Sequence, residues 1–364
     1  IYDYEKELVP LLGKETAELF AYRYGVSPQG NVQEDPHAEF TGRNILFRAH
    51  TVEETAGKFG KPVTEVRETL SAAEDAVLAM RNRRVRPHLD DKVLASWNGL
   101  MISAFALGAR VLNDRHLLAV AQKAMSAIIS GLYQPGERKL LRRMRGGAAA
   151  IDGFLDDYAC VAQGLLDLYE ADFQPVHLVM ALHLTERMRE LFEDKKTGAF
   201  FGAQEGDGAL FPRMKEDYDG AEPSGNSVAA LNLPRLAAIT GRDDLRQSAE
   251  RTIKSFGQKL SDQPTALPQL MVAWLFLRAT PKQVIVAGEA ADPATAALLM
   301  TAQRHFSPNR ILVWKNSQSR EALDSIAPGM RAMEAADGAA SAFVCENFVC
   351  QLPVRTAEQF ETLL

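Results

Sequence analysis

Three polar clusters in the 364-residue sequence hold the side chains best suited to chemistry. The first runs Arg86-Pro87-His88-Leu89-Asp90-Asp91-Lys92 and leads into Trp97-Asn98-Gly99. The second is Asp152-Gly153-Phe154-Leu155-Asp156-Asp157-Tyr158. The third is Asp217-Tyr218-Asp219-Gly220-Ala221-Glu222-Pro223-Ser224-Gly225-Asn226. Carboxylates move protons, Trp and Tyr offer flat faces to sugar rings, and Asn holds hydroxyls, so the combination points to a carbohydrate site. Asp157 and Glu222 are the candidate acid/base pair, with Asp91 as an alternative and His88 as a base or ligand. One carboxyl would protonate a leaving oxygen while the other acts on water or the anomeric carbon. Asp90, Trp97, Asn98, Tyr158, Asp219 and Asn226 are candidate substrate contacts. The same residue types have structural uses. Asp156 or Asp157 could cap a helix, Asp219-Gly220 is a turn signal, Glu222-Pro223 can begin a helix, and Trp97 could belong to a core. Three such clusters in register favour a site over any one of them alone.

The elements that must position these clusters are helices. Apolar spacing near 3.6 predicts buried helices over Val93–Leu112, Phe154–Tyr169, Ser224–Ile239 and Leu267–Ala279. More polar helices over Asp114–Leu132, Pro175–Phe192 and Asp243–Leu260 alternate with them, and Val63–Arg84 precedes them. The alternation reads as helical hairpins in which inner helices run parallel and outer helices return. Variable spacing favours a closed toroid with rim insertions over a regular solenoid. Lys139–Arg145, and Ala199–Gly202 with Ala209–Met214, are the expected rim strands. Parallel inner helices would bring the three clusters to one mouth, where helix N-termini favour carboxylates. After Pro281 a strand, helix and strand (Gln283–Ala287, Pro293–His305, Arg310–Trp314) precede a hairpin of Ser341–Cys345 and Phe348–Leu352. The expected organisation is a partial (α/α) toroid over 1–280 and a small α/β subdomain over 281–364.

Composition narrows the function classes. Lys+Arg 41 against Asp+Glu 47 gives a net charge of −6 with no polybasic block, a poor match to nucleic acid. The most apolar window, Leu267–Ala279, is well short of the ~20 residues that span a bilayer. Three cysteines fit a reducing, cytoplasmic setting. Cys345 and Cys350 lie across a tight hairpin, where a disulfide, half a metal site or two small buried residues are all open; the cytoplasmic reading expects them close but reduced. No histidine pair has metal-ligand spacing, and no cofactor or dinucleotide fingerprint is present. The chain starts at Ile1, which leads us to expect further protein upstream.

The segment from Arg86 to Met101 resembles the signature of the spermatogenesis-associated, thioredoxin-domain-containing proteins. Gly153–Ala159, Asp219–Ser227, and Val344-Cys345-Glu346-Asn347 to Cys350 with Pro353 resemble further motifs of that family, and the likeness runs over essentially the whole chain. The resemblance implies a thioredoxin-like domain followed by an (α/α) toroid similar to six-hairpin glycosidases and N-acylglucosamine epimerases. It implies no catalytic assignment. The expected partners are therefore the upstream part of the same protein, with its thioredoxin-like domain and first toroid helices, and a sugar ligand. The inner helices Val93–Leu112 and Leu267–Ala279 should offer apolar flanks to that upstream part. The second functional reading is a non-catalytic interaction scaffold of a redox-linked protein.

Overall fold

The structure, a computed structural model, describes residues 1–364 except Gln33, Ala38, 207–212, Ala336, Asp337, Asn347 and Phe348. It divides into two units, Ile1–Asp90 and Asp91–Leu364.

The first unit is helical: α1 (Val9–Leu12), α2 (Lys14–Tyr24), α3 (Val52–Phe59) and α4 (Val63–Asn82). Thr51 and Glu54 close a capping box at the start of α3, each accepting a backbone N–H of the other. The apolar spacing of α4 buries Val66, Leu70, Ala73 and Val77 against Leu8, Ala17, Leu19 and Phe20.

The second unit is built from helical hairpins. Strand β1 (Val93–Leu94) enters α5 (Ala95–Leu112), and α6 (Arg115–Leu132) returns beside it, with Asp114 as its N-cap. Strands β2 (Tyr133–Gln134), β3 (Lys139–Arg145) and β4 (Ala148–Asp152) then lead to α7 (Leu155–Asp172) and α8 (Pro175–Phe192). The hairpin of α9 (Gly225–Thr240) and α10 (Asp243–Ser255) follows, and α11 (Gly257–Asp262) precedes α12 (Pro268–Arg278). The inner helices α5, α7, α9 and α12 begin close to the positions expected from the sequence. Their N-termini share one end: Asp157 of α7 accepts the Ser96 N–H of α5, and Asp219 binds the first turns of both α9 and α12. The α5 and α7 backbones approach so closely that a Cβ at Gly99 would sit 2.4 Å from the Cys160 carbonyl carbon. The rim strands form an antiparallel sheet in the order β1-β3-β2, with β4 also paired to β3. The expected second rim hairpin, Ala199–Gly202 with Ala209–Met214, falls partly outside the described residues; Gly202 N–H donates to Met214 O at 2.9 Å.

The apolar flanks expected on the inner helices Val93–Leu112 and Leu267–Ala279 are present: Met101, Leu107, Val111 and Leu112 of α5 are exposed, and Val272, Trp274 and Leu275 of α12 are exposed as well. Within this unit α5 and α12 are the two ends of the inner series, so each has an inner neighbour on one flank only. By contrast α7 and α9 are buried almost throughout.

The C-terminal part consists of β5 (Lys282–Ala287), α13 (Pro293–Arg304), β6 (Arg310–Lys315), α14 (Arg320–Ile326), β7 (Ser341–Glu346), β8 (Val349–Cys350) and α15 (Ala357–Glu361). The sheet order is β6-β5-β7-β8, with β5 and β6 parallel and the other pairs antiparallel. Val284, Ile285, Leu312 and Val313 join the same core as the hairpin helices, and Gln283 Nε2 donates to Ala238 O of α9 at 2.8 Å. The architecture changes near residue 280 inside one unit with a continuous core. The expectation that Cys345 and Cys350 are reduced is corrected: they form a disulfide. Antiparallel register sets the two directly opposite each other on β7 and β8, which brings their sulfurs within bonding reach.

Candidate functional site

At the N-terminal end of the inner helices the polar residues divide by burial. Asp157, the third residue of α7, is fully buried. It accepts from Ser96 N–H at 3.1 Å, Phe154 N–H at 3.0 Å and Arg142 Nη1 at 2.9 Å. These bonds satisfy free donors at the starts of α5 and α7 and clamp the two helices together. Burial, and then the neighbouring Asp156 charge, push its carboxyl up to about 6.

Asp156 lies one residue earlier and about 100° around the helix. It faces an open pocket of about 450 Å³ shared with Arg142, Phe154, Met214, Glu216 and Glu222. Arg142 Nη1 donates to both Asp156 oxygens at 3.2 and 3.1 Å, and its guanidinium lies 4.8 Å over the Phe154 ring. Glu222 Oε2 accepts from Trp97 Nε1 at 2.7 Å, and Trp97 remains 57% exposed. Burial, followed by the charges of Asp156, Glu222, Asp219 and Asp217, raises the Glu216 carboxyl above the usual range. The pocket therefore sets a carboxyl that holds its proton more readily than an ordinary glutamate beside a carboxylate ion-paired to Arg142.

The other expected site residues have different surroundings. Asp219 is buried; it accepts Ser224 N–H at 2.9 Å and, through its other oxygen, Gln269 and Leu270 N–H at 2.9 and 3.4 Å. It therefore joins the starts of α9 and α12. Asn226 is buried and bonds both backbone groups of Phe200, at 2.8 and 3.0 Å, and the Glu216 carbonyl at 3.3 Å. It fixes the strand of backbone that carries Glu216. The buried Tyr158 hydroxyl accepts Leu140 N–H at 2.9 Å and holds β3 on α7. Tyr158 and Asn226 thus lie at the same end as Trp97, and none of the three lines the pocket, which Trp97 meets only through its bond to Glu222. Asn98 Nδ2 donates within its own helix start, to Leu94 O at 2.8 Å. Asp91, just before β1, pairs with Arg145 of β3 at 2.6 Å. His88 and Asp90 are exposed at the end of the first unit, while all the pocket residues belong to the second. Of the expected acid/base residues, only Glu222 lines the pocket.

Sequence reasoning passed over Asp156, Glu216 and Arg142. The adjacent pair Asp156-Asp157 held a usable signal: neighbours on a helix diverge by about 100°, so when one serves as a buried clamp the other points elsewhere. Glu216 stands in an irregular segment without periodicity, and nothing in its residue type marked it. Among the described residues, no group of three His, Cys, Asp or Glu side chains is placed to hold a metal ion, and no helix is long and apolar enough to cross a membrane.

No family model matches the chain. Solved structures that resemble it include a GH76 α-mannanase from Bacteroides thetaiotaomicron, at 14% identity and TM-score 0.40, covering 65% of this chain and 62% of that one. Another is cellobiose 2-epimerase from Spirochaeta thermophila, at 14% identity and TM-score 0.38, covering 45% and 43%. Among curated proteins the chain is 33% identical to human spermatogenesis-associated protein 20 over 98% of its own length and 47% of the relative's. It is 32% identical to the mouse protein of that name, over 96% and 46%. An uncharacterized protein of Caenorhabditis elegans is 31% identical over 99% and 50%. The chain spans about half the length of the curated relatives it matches. Similarity at this level across nearly all of its residues means that the chain belongs to the spermatogenesis-associated protein 20 family.

Proposed function

We propose that the rim pocket binds a carbohydrate and performs acid/base chemistry on it. The observation that carries this reading is the grouping of Asp156, Glu216 and Glu222 in one open pocket, with Glu222 hydrogen-bonded to the exposed Trp97. Glycoside chemistry needs one carboxyl that gives a proton and another that acts as base or nucleophile. Glu216, whose carboxyl is raised by burial and then by the carboxylates around it, is suited to the first role. Asp156, ion-paired to Arg142, is suited to the second. Glu222 fixes the indole and keeps one oxygen for a sugar hydroxyl. Asp157, the acid/base candidate from the sequence, is reassigned to the helix clamp. The test is a panel of oligosaccharides assayed for cleavage or epimerisation by this chain and by the full-length protein. Glu216→Gln should cut turnover about 10²-fold or more while leaving sugar binding in place. Turnover unchanged in Glu216→Gln, Asp156→Asn and Glu222→Gln would refute the assignment.

The scaffold reading gains support from the apolar faces of α5 and α12. We infer that helices from the remaining half of the longer protein pack on them, since the relatives are about twice as long as this chain. The family resemblance supplies a thioredoxin-like domain in that half. We propose a cytoplasmic setting from the scarcity of cysteine, in which the Cys345–Cys350 bond is under redox control. Co-expression with the upstream half should yield a complex in which Met101 and Leu275 are protected from labelling. Two halves that never associate would exclude this partner.

A further inference from the structure

The hairpin β7–β8 carries a sulfur pair that the pocket chemistry does not use. Cys345 and Cys350 are opposite each other, with Glu346 opposite Val349 in the next pair. Their surroundings differ. Cys345 is fully buried on β7, opposite Gln283 of β5. Cys350 is exposed on the edge strand, between Val349, 75% exposed, and the segment reaching Leu352, 87% exposed.

The fold has little need of the bond. The two cysteines are five residues apart, so linking them restricts the unfolded chain less than a long-range bridge would. Strand β7 pairs with β5 along its whole length. Beyond β8 the chain returns to β7 without help from sulfur: Gln351 N–H donates to Val344 O at 3.0 Å, and Ala342 and Val354 exchange bonds of 2.8 and 3.0 Å. A link that supports little and offers one end to solvent suits exchange better than support.

We propose that Cys345–Cys350 is a reversible thiol–disulfide exchange site whose co-substrate is a dithiol of the Cys-x-x-Cys protein class. The thiolate of the dithiol attacks Sγ of Cys350, the reachable sulfur. The Cys345–Cys350 bond breaks, and Cys345 leaves as a thiolate that takes a proton from solvent. The second thiol of the partner then attacks the mixed disulfide and releases Cys350 as a thiol. Two electrons and two protons reach this protein, and the dithiol becomes a disulfide. The exposed apolar edge from Val349 to Leu352 gives a protein partner an extended segment to dock against.

The test uses the oxidised full chain, incubated natively with thioredoxin kept reduced by its reductase, then alkylated and weighed. Buried Cys160 serves as the internal control for unfolding. The expected result is two alkylations, on Cys345 and Cys350, with Cys160 unmodified and the helical circular dichroism and melting midpoint retained. Two single variants fix the direction of attack. Cys345→Ser, which leaves the exposed thiol, should react about tenfold faster with a thiol reagent than Cys350→Ser, which leaves the buried one. A bond that resists thioredoxin until denaturant is added would overturn the proposal, as would loss of the helical signal on reduction. So would protein whose cysteines cannot be oxidised to the disulfide by diamide.

Discussion

Two layers of polar residues meet at the N-terminal end of the inner helices, and they differ in what surrounds them. In the buried layer, Asp157, Asp219, Tyr158 and Asn226 bond mainly to backbone groups, mostly at the starts of helices or on rim strands, with Arg142 as a further partner of Asp157. In the open layer, Asp156, Glu216 and Glu222 face a pocket, with Arg142 as the side-chain partner of Asp156 and Trp97 as that of Glu222. Both layers come from the same short motifs. A buried helix N-terminus must find acceptors for its free N–H groups, so a motif-rich rim contains clamps as a matter of necessity. Only the residues left over from clamping are available to a ligand.

If the layers differ in this way, substitutions should separate them by size of effect. The largest is expected where the clamped helices touch. Gly99→Val forces a side chain against the Cys160 backbone and should cost about 3 kcal/mol or more in urea denaturation. An unchanged midpoint would mean that α5 and α7 are not held at this distance. Next comes Asp219→Ala, which strips acceptors from three N–H groups at the starts of α9 and α12. We expect a loss on the order of 2–3 kcal/mol, with Asp219→Asn recovering part of it.

Asp157 sharpens the contrast through pH. Its folded-state carboxyl is raised to about 6, above the ordinary carboxylate value. The stabilisation it contributes is therefore complete below that ordinary value and is lost as pH rises through about 6. Melting curves should show the wild-type chain losing on the order of 2 kcal/mol from this group between about pH 4 and pH 7. Asp157→Asn should remove that slope, whatever its stability at neutral pH. A slope that persists in the variant would assign the titration to another group. The smallest effects belong to the open layer. Glu216→Gln and Glu222→Gln should shift stability by only about 0.5 kcal/mol, and Glu216→Gln should not lower it, because the neutral amide suits a position where burial and then neighbouring carboxylates disfavour charge.

The helical frame was legible because long apolar stretches have only one economical burial. The helices expected from Val93, Phe154, Ser224 and Leu267 correspond to α5, α7, α9 and α12. The parallel pair β5 and β6 around α13 was legible for a similar reason, as short buried runs flank an amphipathic helix. What surrounds α5 was not legible. The apolar face of Met101 and Val111 reads the same in sequence whether its neighbour belongs to this chain or to another. Helix geometry says that Asp156 and Asp157 diverge, but which of them is the clamp depends on where the Ser96 N–H of α5 arrives, a contact between residues 61 apart in sequence. The bond between Cys345 and Cys350 depends on redox state as well as register, and only the register is encoded locally.

The claim that the open layer is the ligand site is tested most directly by calorimetric titration of oligosaccharides into the wild-type chain, Trp97→Ala and Asp157→Asn. The account predicts a saturable sugar isotherm for wild type. Trp97→Ala should weaken it about tenfold, by roughly 1.4 kcal/mol, while Asp157→Asn, folded at the pH of the titration, should keep wild-type affinity. An isotherm abolished by Asp157→Asn in folded protein but untouched by Trp97→Ala, or no sugar bound by wild type at millimolar concentration, would contradict it.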